Sequence, residues 1–345
     1  MKALVYHGPG KCGWEEKPRP SIQQPTDAIV RITHTTICGT DLHILKECVP
    51  AVQPGRILGH EGVGVIEEVG EDVEAFKPGE RVLISCITSC GRCDFCRKNM
   101  YAHCRNGGWI LGHLIDGTQA EFVRIPQAAS SLYKLPPGLD EAVAVMLSDI
   151  LPTGHEIGVR NGEVKLGDTL AIVGAGPIGL ACLLTAHFYS PAEIIMIDMD
   201  ENRLEVARSL GATQVVREDP VRRILELTEN EGVDVAIEAV GLPETFDICQ
   251  SIVKPGGHIA NVGVHGKPVE FHIEVLWIKN ITLRTGLVNT DTIPLLLKTL
   301  KAGRLLDPSR LITHILKLDE IERAYAVFGN AAREKAIKVL LVAAH

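Results

Sequence analysis

The sequence lacks several features that mark particular classes of protein. None of its 345 residues lie in an apolar run of eighteen, so no membrane span is predicted. Its first residues, MKALVYHGPGKCGWEEKP, contain no apolar segment followed by a small-residue cleavage site, so we expect no signal peptide and a cytoplasmic location. Basic residues form no cluster and the net charge is −8, which argues against a nucleic-acid partner. Internal repeats and low-complexity segments are also missing.

The residues that are present predict an α/β protein with about two domains. Hydrophobic residues make up 46% of the chain, and 33 glycines fit a fold with many tight turns. The first 150 residues contain short β-rich segments broken by Gly, Pro and Asp, which predict a β-barrel-type domain. An amphipathic helix is expected where DEAVAVMLSDILPTGHEIGV begins, at Asp140.

The rhythm changes at about residue 166 to alternating strands and helices. Six strands with intervening helices predict a doubly wound parallel sheet. We therefore expect a first domain in residues 1–150, a second in residues 151–289, and a C-terminal segment, residues 290–345, that returns to the first domain.

A glycine-rich segment, VGAGPIG, lies between the first strand of this alternation and the helix after it. Gly174, Gly176 and Gly179 match the G-x-G-x-x-G pattern, with Pro177 and Ile178 at the start of the helix. The first glycine permits a tight turn, the second lets a pyrophosphate approach the backbone, and the third lets helix and strand pack closely. The segment predicts a dinucleotide site at the helix N-terminus.

Asp198 ends the next strand, EIIMID, at about the spacing expected of a ribose-binding acid. Its carboxylate would accept hydrogen bonds from both adenosine ribose hydroxyls and repel a 2′-phosphate. Arg203 lies five residues later and is a further candidate for contact with adenosine. Asp198 favours NAD, with NADP as the alternative.

Five of the ten cysteines lie between Cys86 and Cys104. Four of them follow the pattern C-x2-C-x2-C-x7-C and predict a closed tetrahedral structural zinc site, namely Cys90, Cys93, Cys96 and Cys104. An iron–sulfur cluster would suit this spacing too, but a second ligand set or a redox partner module would then be expected nearby. Disulfides are disfavoured in a chain whose thiols stay reduced. We expect Cys86 to be a buried core thiol.

A second metal site is suggested by Cys38 in TICGTDLH and His60 in ILGHEGVGVIEEVG. Mixed nitrogen and sulfur ligands from distant segments are typical of catalytic zinc. Each residue lies in a glycine-bounded segment that forces a sharp turn.

Together, GHEGVGVIEEVG, the four-cysteine loop and VGAGPIG resemble, in this order, the zinc-dependent medium-chain alcohol dehydrogenases over essentially the whole chain. The resemblance implies a GroES-like β-barrel catalytic domain, a Rossmann domain, and an active site between them. It also implies that Cys38 and His60 bind catalytic zinc. The family's third ligand is often a cysteine, but Asp149 stands at the matching position here, with His155 the first alternative. Glu61 would be an exchangeable fourth ligand.

The resemblance further implies residues that handle the substrate and the cofactor. Thr40 would begin a proton relay that passes through the nicotinamide ribose to His43. Thr40, Trp109 and Leu287 would line the substrate pocket. Additional cofactor-binding candidates are Thr153, Val240, Val264, Gly286 and Leu287.

These expectations combine into an NAD-dependent zinc alcohol dehydrogenase. It would bind two zinc ions per chain, oxidise primary or secondary alcohols reversibly to aldehydes or ketones, and form a homotetramer, with a homodimer as the alternative. A polyol or threonine-type dehydrogenase shares this fold but needs a polar pocket, whereas GGWILG and VLWIKN favour an apolar one. A non-catalytic NAD(H)-sensing protein would be expected to lose metal ligands that this chain retains.

Overall fold

The computed structural model describes residues 1–303 and 307–343. Two units are distinct: residues 1–149 together with 289–345, and residues 150–288. The strands are β1 (Lys2–Gly8), β2 (Lys11–Glu16), β3 (Ala28–Thr36), β4 (Gly62–Val69), β5 (Arg81–Ile84), β6 (Phe122–Ile125), β7 (Leu132–Lys134), β8 (Thr169–Val173), β9 (Glu193–Ile197), β10 (Gln214–Val216), β11 (Val233–Glu238), β12 (Val253–Asn261), β13 (Thr282–Thr285), β14 (Ile312–Lys317) and β15 (Lys338–Val342).

The α-helices of the described residues are four to ten residues long. They are α1 (Gly39–Leu45), α2 (Ala128–Ser131), α3 (Glu141–Ala144), α4 (Ile150–Thr153), α5 (Pro177–Ala186), α6 (Glu201–Ser209), α7 (Pro220–Leu227), α8 (Pro243–Ile252), α9 (Ile273–Leu276), α10 (Ile293–Lys301), α11 (Ile321–Gly329) and α12 (Ala331–Glu334). Within the described ranges, no helix is both long and apolar enough to cross a membrane.

The second unit contains a six-stranded sheet in the order β10-β9-β8-β11-β12-β13. Every neighbouring pair is parallel. Strands β8 and β11 are almost wholly buried, as expected when helices cover both faces. The order reverses between β8 and β11, which is where ligands bind in such sheets, beyond the carboxyl ends of the strands. The predicted doubly wound sheet is confirmed.

The first unit contains a seven-stranded sheet. Six of its strands follow the order β14-β15-β3-β4-β5-β7. The seventh, β6, pairs antiparallel with residues 28–31 of β3. Strand β15 pairs antiparallel with β3, with Leu340 opposite Thr36, so the last strand of the chain joins this sheet. Helix α11 packs over the sheet, and its Ile321 and Tyr325 share an apolar cluster with Leu4 and Val339.

The predicted continuous helix from Asp140 is wrong. Residues 141–160 form α3, a 3-10 turn at Val145–Leu147, α4, and a π-helix at Gly154–Arg160. Gly154 and Gly158 pack so closely on α5 that an added Cβ would lie 2.8 Å from the backbone of Ala181 or 2.5 Å from Sγ of Cys182. Close packing against α5 therefore shapes this segment in place of a regular α-helix.

Candidate active site

The glycine-rich turn between β8 and α5 has the geometry of a phosphate-binding loop. Gly174 has φ +104°, and Gly179 packs against the carbonyl oxygen of Gly174 with no room for a Cβ. By contrast, a Cβ on Gly176 would meet only Nη1 of Arg203, at 3.9 Å. The backbone at Gly176 is thus open to a ligand, whereas the other two glycines close the turn.

Helix α5 begins directly at this open backbone. Gly176 is its N-cap, no side chain caps it, and Pro177 and Ile178 form the first turn. The unpaired N–H groups and the helix dipole favour an anion here. The loop and the helix end therefore fit the pyrophosphate of a dinucleotide.

Asp198 lies at the carboxyl end of β9, beside the glycine turn. Its Oδ2 accepts a hydrogen bond from the backbone N–H of Ala175 at 2.7 Å, and its Oδ1 accepts one from Asp200 at 2.8 Å. Nη1 of Arg203 lies 3.8 Å from Oδ2. The carboxylate is held in place by the backbone, and Nη1 of Arg203 is close to both Asp198 and Gly176.

Exposed apolar side chains follow the carboxyl ends of three neighbouring strands. Val240 comes after β11, Val264 after β12 and Leu287 after β13, and their exposed fractions are 42%, 68% and 43%. The buried carboxylate of Glu238 accepts hydrogen bonds from the N–H groups of Val240 and Gly241 and so shapes the first of these turns. Such apolar turns suit the flat face of a nicotinamide ring.

The two remaining cofactor candidates lie elsewhere in the second unit. Gly286 adjoins Leu287, and a Cβ there would lie 3.6 Å from Ile157 of the π-helix. Thr153 ends α4, immediately before that helix.

Cys38, His60 and Asp149 come together in the first unit, although 111 residues separate the first from the last. One ligand atom from each lies within 4.8 Å of the others. Oδ2 of Asp149 is 3.3 Å from Nε2 of His60 and 3.7 Å from Sγ of Cys38. Around a tetrahedral zinc, with bonds of about 2.0–2.1 Å to N or O and about 2.3 Å to S, ligand atoms stand roughly 3.3–3.6 Å apart. The residues therefore fit a zinc ion.

Local structure explains how each ligand reaches the cluster. Cys38 is the extended N-cap of α1, so its side chain lies at the start of the helix. Gly59 has φ +93°, and a Cβ there would lie 2.6 Å from Gln119, so only glycine permits the turn that precedes His60. Asp149 lies between the 3-10 turn Val145–Leu147 and α4.

The electrostatics of the cluster favour a cation. Burial lowers the pKa of His60, but hydrogen bonds to Asp149 and Cys38 outweigh burial and hold this pKa well above its usual range. The negative groups that stabilise a proton on this imidazole are the same groups that would stabilise a metal ion.

Two neighbours of the cluster were not expected as site residues. Oδ1 of Asp41 lies 3.8 Å from Nδ1 of His60, on the side of the ring away from Asp149. Asp41 follows Cys38 by three residues in CGTDLH, and this proximity in sequence was a usable signal. Cys86, predicted to be a core thiol, donates to Oδ1 of Asp149 at 3.7 Å. Nothing in the sequence around Cys86 indicates that contact.

Glu61 does not join the three ligands. Its Oε2 pairs with Nζ of Lys338 at 2.6 Å and accepts a hydrogen bond from the hydroxyl of Thr36. Its Oε1 is buried and has no hydrogen-bond partner among the described residues. His155, the alternative third ligand, hydrogen-bonds through Nε2 with the hydroxyl of Tyr189 at 3.0 Å, within the second unit.

Thr40 and His43 lie one turn apart on α1. Oγ1 of Thr40 is 3.7 Å from Sγ of Cys38, beside the cluster. His43 is half-buried, and burial, followed by the charge of Lys46, lowers its pKa. Its imidazole is therefore neutral at pH 7 and able to accept a proton.

Trp109 lies against the cluster as an apolar wall. Its ring meets the edge of His60 at a centroid distance of 6.3 Å and stacks on His113 at 4.3 Å. The other aromatic segment, VLWIKN, is different: Trp277 is 66% exposed and Ile278 is 68% exposed. The expectation of an apolar pocket therefore draws support from Trp109 and not from VLWIKN.

The four cysteines of the loop also converge, with their sulfur atoms within 4.8 Å of one another. Backbone N–H groups donate to these sulfurs, among them that of Cys90 to Cys104 and that of Cys96 to Cys93. Hydrogen bonds from the backbone of Arg105 and Cys96 lower the pKa of Cys93 to about 6, whereas burial raises that of Cys96 to about 12. A closed set of four thiols with N–H donors fits a structural zinc.

Comparisons with known proteins agree with this geometry. The alcohol dehydrogenase GroES-like domain family matches residues 24–137, and the zinc-binding dehydrogenase family matches residues 177–302. The solved structure "Zinc dependent alcohol dehydrogenase 2 from Streptococcus pneumonia" is 54% identical, with a TM-score of 0.96 over 100% of this chain and 99% of that chain.

Two curated relatives match over nearly their whole length. An alcohol dehydrogenase of Cupriavidus necator is 35% identical, over 99% of this chain and 98% of the relative. The NADP-dependent isopropanol dehydrogenase of Thermoanaerobacter brockii is 32% identical, over 99% of this chain and 100% of the relative.

A GroES-like domain and a Rossmann-type parallel sheet, combined with clustered zinc-type ligands, define a zinc-binding dehydrogenase. The chain belongs to the zinc-dependent medium-chain alcohol dehydrogenases, and it is an oxidoreductase. The expected family and fold class are confirmed.

Proposed function

We propose that the protein oxidises small primary or secondary alcohols reversibly to aldehydes or ketones, with NAD as hydride acceptor and zinc at Cys38, His60 and Asp149. The observation that carries this proposal is the convergence of these three ligand atoms at tetrahedral spacing. We assign catalysis to residues 1–150 with 290–345 and cofactor binding to residues 151–289.

Each group of residues would make a separate contribution. A zinc ion held by the three ligands would act as a Lewis acid that lowers the pKa of the substrate hydroxyl. NAD would supply the hydride acceptor. Thr40, beside Cys38, would accept the hydroxyl proton while passing on its own, and the neutral imidazole of His43 would take up the proton at the outer end of the relay. Trp109 would exclude water and bind the carbon chain.

The cofactor would lie along the carboxyl ends of the parallel strands. Gly176 and the start of α5 would bind its pyrophosphate, and Asp198 its adenosine ribose. The residues that would border the nicotinamide follow strands β11, β12 and β13, namely Val240, Val264, Gly286 and Leu287. Thr153, immediately before the π-helix, is the remaining cofactor-binding candidate. The carboxylate of Asp198 favours NAD. The isopropanol dehydrogenase of Thermoanaerobacter brockii is NADP-dependent, so the cofactor preference needs a direct measurement.

Glu61 would serve as an exchangeable ligand through Oε1, the oxygen that has no described hydrogen-bond partner. The four thiols of Cys90, Cys93, Cys96 and Cys104 would hold a second, structural zinc. Such a site requires reduced thiols, which supports a cytoplasmic location.

One surface of the second unit supports association into a homodimer, and a homotetramer would need a further interface in addition. Strand β13 is the edge of its sheet, and apolar side chains near it are exposed, namely Ile273, Val275, Trp277, Ile278 and Leu283. An unpaired edge beside an apolar patch is suited to association with a second copy. Light scattering of the wild type and of Trp277→Glu would measure the mass; a monomeric wild type would contradict the assembly.

A substrate panel combined with metal analysis tests the function. We expect two zinc ions per chain and oxidation of propan-2-ol or ethanol with NAD, at higher kcat/KM than oxidation of sorbitol or L-threonine. Preference for sorbitol or threonine would favour the polyol or threonine-type alternative. A protein that binds NADH but turns over none of these compounds would favour the sensing alternative.

A further inference from the structure

A chain of buried polar side chains leads from the C-terminal helix α11 to His60. The hydroxyl of Tyr325 donates to Oε1 of Gln119 at 2.8 Å, and Nε2 of Gln119 donates to Oδ2 of Asp41 at 3.0 Å. Oδ1 of Asp41 faces Nδ1 of His60 at 3.8 Å. Residues more than 200 positions apart are therefore connected within the first unit.

Every member of this chain is shielded from water. Tyr325 is 7% exposed, Gln119 is fully buried and Asp41 is 1% exposed. A buried polar group that loses its partner cannot replace it with solvent, so each hydrogen bond here is more costly to remove than one at the surface. Loss of one of these hydrogen bonds therefore leaves a buried polar group unpaired.

The partners of Gln119 fix the orientation of its amide. Nε2 donates to the carboxylate of Asp41 and to the carbonyl oxygen of Thr36, at 3.2 Å, and an ionised carboxylate and a carbonyl can only accept. Oε1 is therefore the end that faces Tyr325, whose hydroxyl donates to it and holds the amide in this place. A reversed amide would place its oxygen against the carboxylate of Asp41 and repel it.

The amide in turn holds Asp41. Oδ2 of Asp41 accepts hydrogen bonds from Gln119 and from the backbone N–H of Cys38, at 2.9 Å. Its other oxygen, Oδ1, has no hydrogen-bond partner among the described residues and remains directed at Nδ1 of His60. At 3.8 Å this pair is longer than a direct hydrogen bond. The negative charge beside Nδ1 still favours a proton on that nitrogen, which leaves the Nε2 lone pair for a metal.

We propose that Tyr325 and Gln119 are positioning residues for the catalytic zinc, acting through Asp41 on the tautomer and orientation of His60. This inference rests on the proposed metal site at Cys38, His60 and Asp149. It gives the C-terminal helix α11 a function in the metal site, in addition to its packing.

Zinc release to a chromophoric chelator, 4-(2-pyridylazo)resorcinol, tests this role without relying on activity. The phase that belongs to the catalytic site is the one missing from Asp149→Asn. In Tyr325→Phe we expect this phase to be about three- to tenfold faster, because outer partners of metal ligands affect metal affinity by up to about 10–100-fold. Release from the four-cysteine site should not change.

Tyr6→Phe is the matched control, since Tyr6 is buried in the same apolar cluster and loses the same atom. It should release catalytic zinc at the wild-type rate. In a Gln119→Leu background, Tyr325→Phe should accelerate zinc release by less than twofold, because Gln119→Leu already removes the hydrogen bonds to Tyr325 and Asp41.

Two results would overturn the inference: a Tyr325→Phe release rate within twofold of wild type, or an undiminished effect of this change in the Gln119→Leu background. A wild-type protein that holds only the four-cysteine zinc would instead refute the proposed catalytic site itself.

Discussion

The side-chain nitrogen of Lys338 lies 2.6 Å from Oε2 of Glu61, and both side chains are 1% exposed. The same nitrogen donates to the carbonyl oxygen of Ile37 at 3.2 Å. Strand β15 thereby supplies a positive charge to the segment that carries His60. This pairing explains why Glu61 stands apart from the three clustered ligands.

Lys338→Met should destabilise the protein by about 3–5 kcal/mol, because it leaves the carboxylate of Glu61 buried without a counter-charge. In the double variant Lys338→Met with Glu61→Gln, no charge remains, and most of the loss should be recovered. Urea unfolding of the four proteins of this cycle measures the coupling. Additive effects of the two changes would show that the pair contributes no interaction energy.

Glu141 should contribute stability that depends on pH. A hydrogen bond from His34, helped by Thr33 and by the charge of Arg81, lowers the pKa of Glu141 from 4.5 to about 2. Because the folded-state pKa is depressed, this stability is fully present above pH 4.5 and is lost as pH falls toward 2. Glu141→Gln should therefore cost about 1–2 kcal/mol at pH 7.

The difference between the wild type and Glu141→Gln, measured by urea unfolding, should shrink as the pH falls from about 5.5 toward 2. Glu68→Gln is the control, because Glu68 is an exposed residue of β4, the strand that pairs with β3 and its His34. The stability difference between this variant and the wild type should not change with pH in this way. A Glu141→Gln deficit that does not vary with pH would contradict the assigned origin of the stability.

Local patterns accounted for much of the fold and of the candidate site. The glycines at 174, 176 and 179 and the four cysteines lie in short segments, where spacing alone reports the geometry. Parallel strands such as β8 are continuous apolar runs, so they too can be recognised from the sequence. These features depend on neighbours within about twenty residues.

The parts that were missed depend on contacts across the chain. Lys338 contacts Glu61, which lies 277 positions away in the sequence, and Tyr325 contacts Gln119, which lies 206 positions away. No sequence pattern near these residues indicates either contact. Cys86 resembles any buried thiol until the position of Asp149 is known. Residues 141–160 have helical periodicity, yet packing of Gly154 and Gly158 against α5 interrupts the helix.

Cys93→Ser should remove one zinc ion per chain and lower the melting temperature, because a structural zinc contributes folding energy. The catalytic zinc should remain. Metal analysis and thermal unfolding together make the measurement, and Cys48→Ser, at an exposed cysteine outside the cluster, is the control. Wild-type protein that is fully active with one zinc or none would refute the two-site proposal.

Asp198→Gly should weaken NAD binding by about 10–100-fold, since hydrogen bonds to a charged group contribute roughly 1.5–3 kcal/mol. Discrimination against NADP should relax as well, because the 2′-phosphate would no longer meet a carboxylate. Dissociation constants for both cofactors give the ratio. Asp234→Asn removes a charge near the amino end of β11 and should leave the ratio unchanged. An unchanged ratio in Asp198→Gly would exclude Asp198 from the cofactor site.

Asp149→Asn should retain the fold and the four-cysteine zinc but lose the catalytic zinc and nearly all activity. Asparagine keeps the size and one oxygen of the side chain, but only Cys38 would then supply a negative charge to the metal. Zinc content should fall from two ions per chain to about one, and turnover by orders of magnitude.

Two companion variants make the Asp149 prediction specific. Asp140→Asn makes the same chemical change at the N-cap of α3, where asparagine caps as well as aspartate, and should retain both zinc ions and full turnover. Asp149→Cys restores an anionic ligand, the type that the family often uses at this position, and should recover the second zinc ion. If Asp149→Asn instead kept two zinc ions and wild-type turnover, another residue would be the third ligand, and His155→Ala would be the next variant to measure. Loss of the four-cysteine zinc in Asp149→Asn would point to a general folding defect and not to a missing ligand.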